Sequence, residues 1–411
     1  MNQQRSQDVY HHRRGFPAPS PTRREGTASS VQVHAVQNKA DLEAWIRFPR
    51  LKVYPPSSPW VPPLDHDLRR MLDTRKNPFF RHGDGLPLLA RDAQGAVVGR
   101  TLAHIYHRHT VRHNERAAFF GYFECCDDVA AAQALIDAAA TFGARHECTV
   151  LRGPFNMTAM QEMGILLEGF DTTPAIDETY TAPYYPALMK AAGLHPVFPV
   201  TTFRIDDVSS IDPEKLLAER HRLLLSEGRL RVRSAHPQDY TREFETLREL
   251  LNDSFYHNPH FVPITAEEFL FQIGPFKRLL DPSINLVAEL DGVPCGFIIT
   301  VPDFNLLLKK MDGRLGPRGL LTFLRGQSQI HDACLLIMGM QQQLQAQGMM
   351  RILHAELIRA LQRRDYHRLT VTWVADENPK SLATLAALGA HPLHRLTLYE
   401  MLLPAEGRSL I

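Results

Sequence analysis

The chain repeats itself over a long period, and that constrains its fold more than any local motif does. Near position 60 it reads Trp60-Val61-Pro62-Pro63-Leu64, and near 261 it reads Phe261-Val262-Pro263-Ile264-Thr265. A strand, a Gly-bearing turn and a second strand follow in each half, PLLARDAQGAVVGRTLAHIYH at 87–107 and INLVAELDGVPCGFIITVPDF at 284–304. Both are hairpin patterns. Each half closes with a helix, a glycine and a terminal strand, YYPALMKAAGLHPVFPVTTFRID at 184–206 and SLATLAALGAHPLHRLTLYEMLL at 381–403. Gly193 lies 94 positions after Gly99, and Gly389 lies 93 after Gly296. Unrelated elements have no reason to hold that register, so the chain is read as a duplicated unit.

At 411 residues the chain is also too long for one ordinary core. The boundaries follow as a polar, basic tail at 1–30, a first half at 31–207, a helical linker at 208–227 and a second half at 228–411. Within each half the order of strand, helices, hairpin, central strand, helix, strand, helix, strand predicts an α/β unit, a mixed sheet with helices on its faces. Lys plus Arg (46) nearly cancel Asp plus Glu (45), so no global field points to nucleic acid as a partner. The five cysteines show no CxxC pairing and fit a reducing compartment. With no apolar run near the ~18 residues a membrane span needs and no signal peptide in 1–30, a cytoplasmic protein is expected.

Chemistry-bearing patterns concentrate in the second half. After the apolar strand CLLIMGM, ending in Met338-Gly339-Met340, the residues Gln345, Gln347, Gly348, Met349 and Met350 form a turn that opens a helix striped by Leu353, Leu357 and Leu361. Free N–H groups and the helix dipole at such a turn favour an anion. Further on, Asn378 is a good N-cap with Pro379 at the first helical position, and Gly389 ends that helix.

This order resembles the GNAT (GCN5-related N-acyltransferase) superfamily, whose acyl-CoA loop reads Gln/Arg-x-x-Gly-x-Gly/Ala and whose later helix reads Asn-x-x-Ser/Ala. Gln345, Gly348 and Met350 occupy the loop positions, and Asn378 and Ser381 the later ones. The resemblance implies two tandem GNAT folds, acyl-CoA or acetyl-CoA as co-substrate, and direct attack of an amine on the thioester with the oxyanion held by N–H groups along Met338–Met340. Two positions depart from the pattern: Met350 is larger than the family's small residue, and Leu385 stands where many members carry a tyrosine acid. Tyr399 is the candidate substitute acid.

In the first half, Asp127 or Asp128 caps the helix where a CoA-binding copy would offer a glycine-rich turn, and two carboxylates there would repel a diphosphate. The strand Phe120-Gly121-Tyr122-Phe123-Glu124 and the loop Gly153-Pro154-Phe155-Asn156 resemble tandem bacterial GNAT proteins of the ceramide synthase-like, lipid-linked type. That implies acceptor-side roles for Glu124, as general base, and for Asn156. The aromatic, Gly/Pro-punctuated segment ending in Tyr184 and Tyr185 adds candidates for acceptor binding, as does Asn305.

Alternation along 103–113 puts His107 and His109 on one strand face and His104 on the other, so no metal site is expected. Residues 305–330 carry five Lys or Arg and one Asp, a local charge of +4, among many leucines. Such a stretch serves lipid headgroup contact, covers a long acyl chain, or packs as a helical excursion. The activity expected is N-acylation of a small or lipid amine, with peripheral membrane contact through 305–330; the alternatives are aminoacyl transfer from tRNA and a non-catalytic CoA-binding module.

Overall fold

The glycines that mark the repeat occupy matching places in the structure, a computed structural model describing residues 31–404 except 236–239, 259, 275–279 and 346. The expected tail at 1–30 lies outside the described residues. The first half comprises β1 (Gln32–Ala35), α1 (Lys39–Phe48), α2 (Asp65–Leu72), β2 (Gly83–Arg91), β3 (Val97–Tyr106), α3 (His107–His113) and β4 (Ala117–Cys125). It continues with α4 (Val129–Arg145), β5 (Val150–Gly153), β6 (Ile165–Glu168), α5 (Tyr185–Ala191) and β7 (His195–Ile205). The linker forms α6 (Glu219–Ser226), and the second half opens with β8 (Leu230–Ser234), α7 (Tyr240–Ser254), α8 (Ala266–Ile273), β9 (Leu286–Leu290) and β10 (Val293–Pro302). There follow α9 (Asn305–Met311), α10 (Pro317–Gly326), β11 (Asp332–Met340), α11 (Gln342–Gln345), α12 (Met350–Arg363), β12 (Arg368–Ala375), α13 (Pro379–Ala387) and β13 (His391–Leu402).

Gly99 and Gly296 each follow an irregularity in the β2–β3 and β9–β10 hairpins. Gly193 and Gly389 each follow a helix, with φ of 82° and 74°, a left-handed conformation that glycine adopts without steric cost. The second hairpin turns through Asp291-Gly292, both at positive φ, as a two-residue type I′ turn requires.

The strands form one sheet in the order β1-β2-β3-β4-β5-β13-β7-β12-β11-β10-β9-β8, with β6 also paired to β13. The halves therefore exchange their last strands. β13, at the end of the second half, lies against β5 with Tyr399 opposite Gly153 and Met401 opposite Leu151. β7, at the end of the first half, lies against β12 with Ile205 opposite Leu369. The cores follow the exchange: Leu396, Leu398 and Tyr399 pack with Phe120 and Leu135, while Phe203 and Ile205 pack with Leu353 and Leu357.

Three local expectations are corrected. The strand expected to run through His109 stops at Tyr106, and His107–His113 form α3, ended by Asn114 in the left-handed region. Alternation therefore does not apply there, and the i, i+4 pair His109 and His113 lie with tilted rings and centroids 4.6 Å apart. The linker is helical in pieces rather than continuously: 3-10 turns at Val208–Ser210 and Pro213–Leu216, the latter capped by Asp212, precede α6. Gln342–Gln345 form a short helix before the glycine turn rather than part of the turn itself.

Candidate active site

β11 and β12 run parallel and pair only over Asp332–Leu335 with Arg368–Val371. Beyond that they diverge, and among the described residues the Thr372 hydroxyl, donating to Leu336 O at 2.8 Å, is the only hydrogen bond across the gap. β11 remains paired to β10 on its other edge through Ile337, Met338, Gly339 and Met340. The result is a V-shaped opening between two strands, with Met338–Met340 along one arm. Gly339 is sterically required, since a Cβ there would lie 2.5 Å from both Ser254 Oγ and the Phe297 ring.

The turn below this opening is braced from several sides. Gln345 Nε2 donates to Met340 O at 2.9 Å and to Ser254 O at 3.1 Å, so that side chain holds the turn's shape. Gly348 has φ of 68°, and a Cβ there would sit 3.1 Å from the Arg220 guanidinium. Arg220, on α6, donates to Gln347 O at 2.6 Å, and its Nε lies 3.3 Å from His221 Nε2. His221 is buried and accepts the Ala218 N–H through Nδ1 at 3.2 Å. Met349 is buried and Met350 packs against the second core. Asn378 Oδ1 accepts the Ser381 N–H at 3.2 Å and so caps α13, whose Leu385 is core. A left-handed glycine, an exposed guanidinium and the start of a 14-residue helix form a set that fits a diphosphate.

The first half's helix start is different. Asp128 Oδ1 accepts the Ala130 and Ala131 N–H groups at 2.8 and 3.2 Å, which occupies the donors an anion would need. The opening beside β4 is filled by its own loop: Phe155 N–H donates to Phe120 O at 2.8 Å, and Asn156 Oδ1 accepts the Tyr122 N–H at 2.7 Å.

Behind that loop lies a buried polar network. Glu124 Oε2 accepts the hydroxyls of Tyr185 at 2.6 Å and Tyr54 at 2.9 Å. Tyr185 also accepts the Cys125 N–H at 2.9 Å, and the Tyr184 hydroxyl donates to Cys125 O at 2.8 Å. Arg100 stacks on Trp45 at 4.1 Å and donates to Trp45 O at 2.8 Å. Burial raises the Glu124 carboxyl to about 7, against the pull of Arg100 and of the two tyrosine hydroxyls.

In front of the network stand two open carboxyls. Glu162 and Asp177 keep solvent-accessible surface, yet desolvation is the largest cause raising Glu162 to about 8 and Asp177 to about 7, with their mutual repulsion adding to Glu162. Their segments touch β11 where its pairing to β12 ends. Cys334 Sγ lies 3.6 Å from Ile176 O, and Ile176 packs with Leu336. Met160 and Ile337 pack against one further cluster. Tyr122 and Met157, in the strand and loop nearby, have φ of 49° and 64°, a conformation that costs bulky residues on the order of 1–3 kcal/mol and gathers at functional sites.

The structure thus brings Glu124, Asn156, Tyr184 and Tyr185 together on the first half, and Met338–Met340 with Gln345, Gln347, Gly348, Met349 and Met350 on the second. Asn305 serves a different place: it is buried at the start of α9 and donates to Pro174 O at 2.8 Å. Tyr399 packs in the first core, on the exchanged strand, rather than beside the glycine turn. Sequence reasoning missed Arg220, Asp177 and Arg100. Only Arg100 carries a local signal, a charge inside the otherwise apolar run of β3. A cluster of His331, Asp365 and His367, whose ligand atoms lie within 4.8 Å of one another, stands apart from these groups at the other ends of β11 and β12.

The solved structure of a tandem GNAT protein from the clavulanic acid biosynthesis pathway superposes with a TM-score of 0.52 and 13% identity, covering 92% of this chain and 99% of that one. The fold is that of tandem GNAT proteins, with one large mixed sheet flanked by helices in place of the separate sheet expected for each half. No family model matches the chain. Protein YghO of Escherichia coli (strain K12) is 31% identical over 378 residues, 90% of this chain and 94% of that protein, and the chain belongs to its family. Bacterial ceramide synthase of Caulobacter vibrioides (strain NA1000 / CB15N) is 27% identical over 365 residues, 86% and 93% of the two chains.

Proposed function

We propose that this chain is an acyl-CoA-dependent N-acyltransferase that transfers a long acyl chain to the primary amine of a lipid. The observation that carries this reading is the meeting of unlike halves at β11: the Arg220–Gly348 turn on the second half suits a CoA diphosphate, and the open carboxyls Glu162 and Asp177 on the first half suit an ammonium group. The similarity to a bacterial ceramide synthase supports a lipid amine as acceptor.

In this reading the ammonium group lies beside Asp177 and Glu162, and the ionised form of Glu162 takes one of its protons. The free amine attacks the thioester carbonyl, and N–H groups along Met338–Met340 hold the developing oxyanion. The C–S bond breaks, CoA leaves as the thiolate, and the amide nitrogen gives up its second proton to water. A carboxyl raised to about 8 is matched to this work near neutral pH. Glu124 balances Arg100 behind it.

The test is mass spectrometry of the amide, with release of free thiol, after incubation with palmitoyl-CoA or acetyl-CoA and either a long-chain amino alcohol or a short soluble amine. Amide formation with palmitoyl-CoA and the long-chain amine is expected. If no CoA ester raises the melting temperature and none yields free thiol, the reading is wrong.

A further inference from the structure

The helical hairpin of α9 and α10 is joined to the first half by polar contacts. Asn305 donates to Pro174 O, Asp303 Oδ1 accepts the Ile176 N–H at 3.2 Å, and Asp65 N–H donates to Gly313 O at 2.9 Å. Its inner side is apolar, with Leu307 and Met311 buried and the Phe304 and Phe323 rings 5.3 Å apart. Its outer side is apolar as well. Leu306 is 56% exposed, Leu315 60%, Leu321 46% and Leu324 59%.

Single exposed leucines are ordinary on protein surfaces. Here four of the thirteen exposed large hydrophobics among the described residues fall between 306 and 324, and Leu321 and Leu324 share one helix face. Arg50, which donates to Asp312 O at 2.6 Å, joins the patch to Leu51, itself 66% exposed. Lys310, Arg314, Arg325 and Lys52 are exposed among these leucines. The only acid in 305–330, Asp312, lies 4.0 Å from Arg50.

We propose that this hairpin docks the protein on an anionic lipid bilayer, with the leucines entering the interface and the basic side chains meeting the headgroups. Apolar burial and attraction to anionic lipid act together on such a surface. A second copy of the chain is the less fitting occupant, because two patches of charge +4 would repel. The position has a consequence for the site. Ile176, which packs in the hairpin's own cluster, directly precedes Asp177, so a bilayer on the hairpin would bring a lipid amine close to the Asp177 carboxyl. That consequence rests on the lipid-acceptor reading; the docking itself does not.

The full chain is tested by flotation with phosphatidylcholine vesicles, with and without phosphatidylglycerol, in the absence of any acyl-CoA. The expected result is binding to the anionic vesicles only, weakened at high salt and reduced about tenfold or more in Leu321→Ser/Leu324→Ser and in Lys310→Glu/Arg314→Glu. Melting temperature and acylation of a short soluble amine report the variants' fold and site. No binding, binding untouched by both variants, or a wild-type dimer that the leucine variant makes monomeric would each overturn the proposal. Loss of flotation with intact acylation of the soluble amine separates this proposal from the enzymatic one.

Discussion

Leu398→Ala tests the strand exchange. Leu398 is fully buried on β13, opposite Phe198 of β7, in the core built by the first half. Truncating a fully buried leucine removes its transfer free energy and leaves a cavity, a loss of about 2–5 kcal/mol. Here β5 and β7 flank the site, so little collapse is available, and a loss of about 3 kcal/mol is expected, or roughly two orders of magnitude in local opening. Amide hydrogen exchange read by peptide is the assay. Although the substitution lies in the second half of the sequence, faster exchange should appear in β4, β5 and α4, with much less change in β8–β10. Ile205→Ala on β7 should show the reverse, loosening β12 and α12. Faster exchange confined to the mutated strand's own half of the sequence would refute the exchange.

Glu124 has a pKa raised from 4.5 to about 7 by folding. Its protonated form is favoured by the fold, so its contribution is most favourable below pH ~4.5 and is lost as pH rises through about 7. Glu124→Gln removes that titration, and the variant should gain on the order of 2 kcal/mol relative to wild type between pH 5 and pH 8, measured by denaturant unfolding; a pH-independent difference would remove the assigned cause. Arg220→Ala should weaken CoA binding by roughly 5- to 30-fold in calorimetry, the loss of one charged hydrogen bond worth about 1–2 kcal/mol at an exposed site, with no change in melting temperature for the free protein. Gly348→Asn should fold normally, whereas Gly348→Val should lower stability by about 1–2 kcal/mol, because a β-branched residue strongly disfavours a φ of 68° that glycine and asparagine accept.

The hairpins, the caps and the four repeat glycines were legible because each is fixed within a few residues of chain. Asn378 caps α13 and Asp128 caps α4 through contacts no more than three residues away. The strand exchange was not legible: the alternation of β13 satisfies either of two neighbouring sheets, and only the assembled fold selects β5. Arg220 lies in a linker with no pattern to mark it, and its meaning appears only when α6 settles on the glycine turn. Glu162 lies in the long Gly/Pro-punctuated segment without a motif to mark it, and its raised pKa comes from desolvation by the surrounding protein and then from Asp177. Likewise the pair of histidines at 107 and 109 fitted a strand by alternation, whereas the chain turned into α3 once the apolar run ended at Tyr106.

The central claim is that the second half holds the acyl donor and the first half the acceptor. Two-substrate steady-state kinetics with palmitoyl-CoA and a long-chain amine test it on Arg220→Ala and Glu162→Gln side by side. The account predicts that Arg220→Ala raises KM for the thioester alone, while Glu162→Gln lowers kcat/KM for the amine and abolishes its rise with pH towards about 8. Equal effects of both variants on the same substrate, or no effect of either, would contradict it.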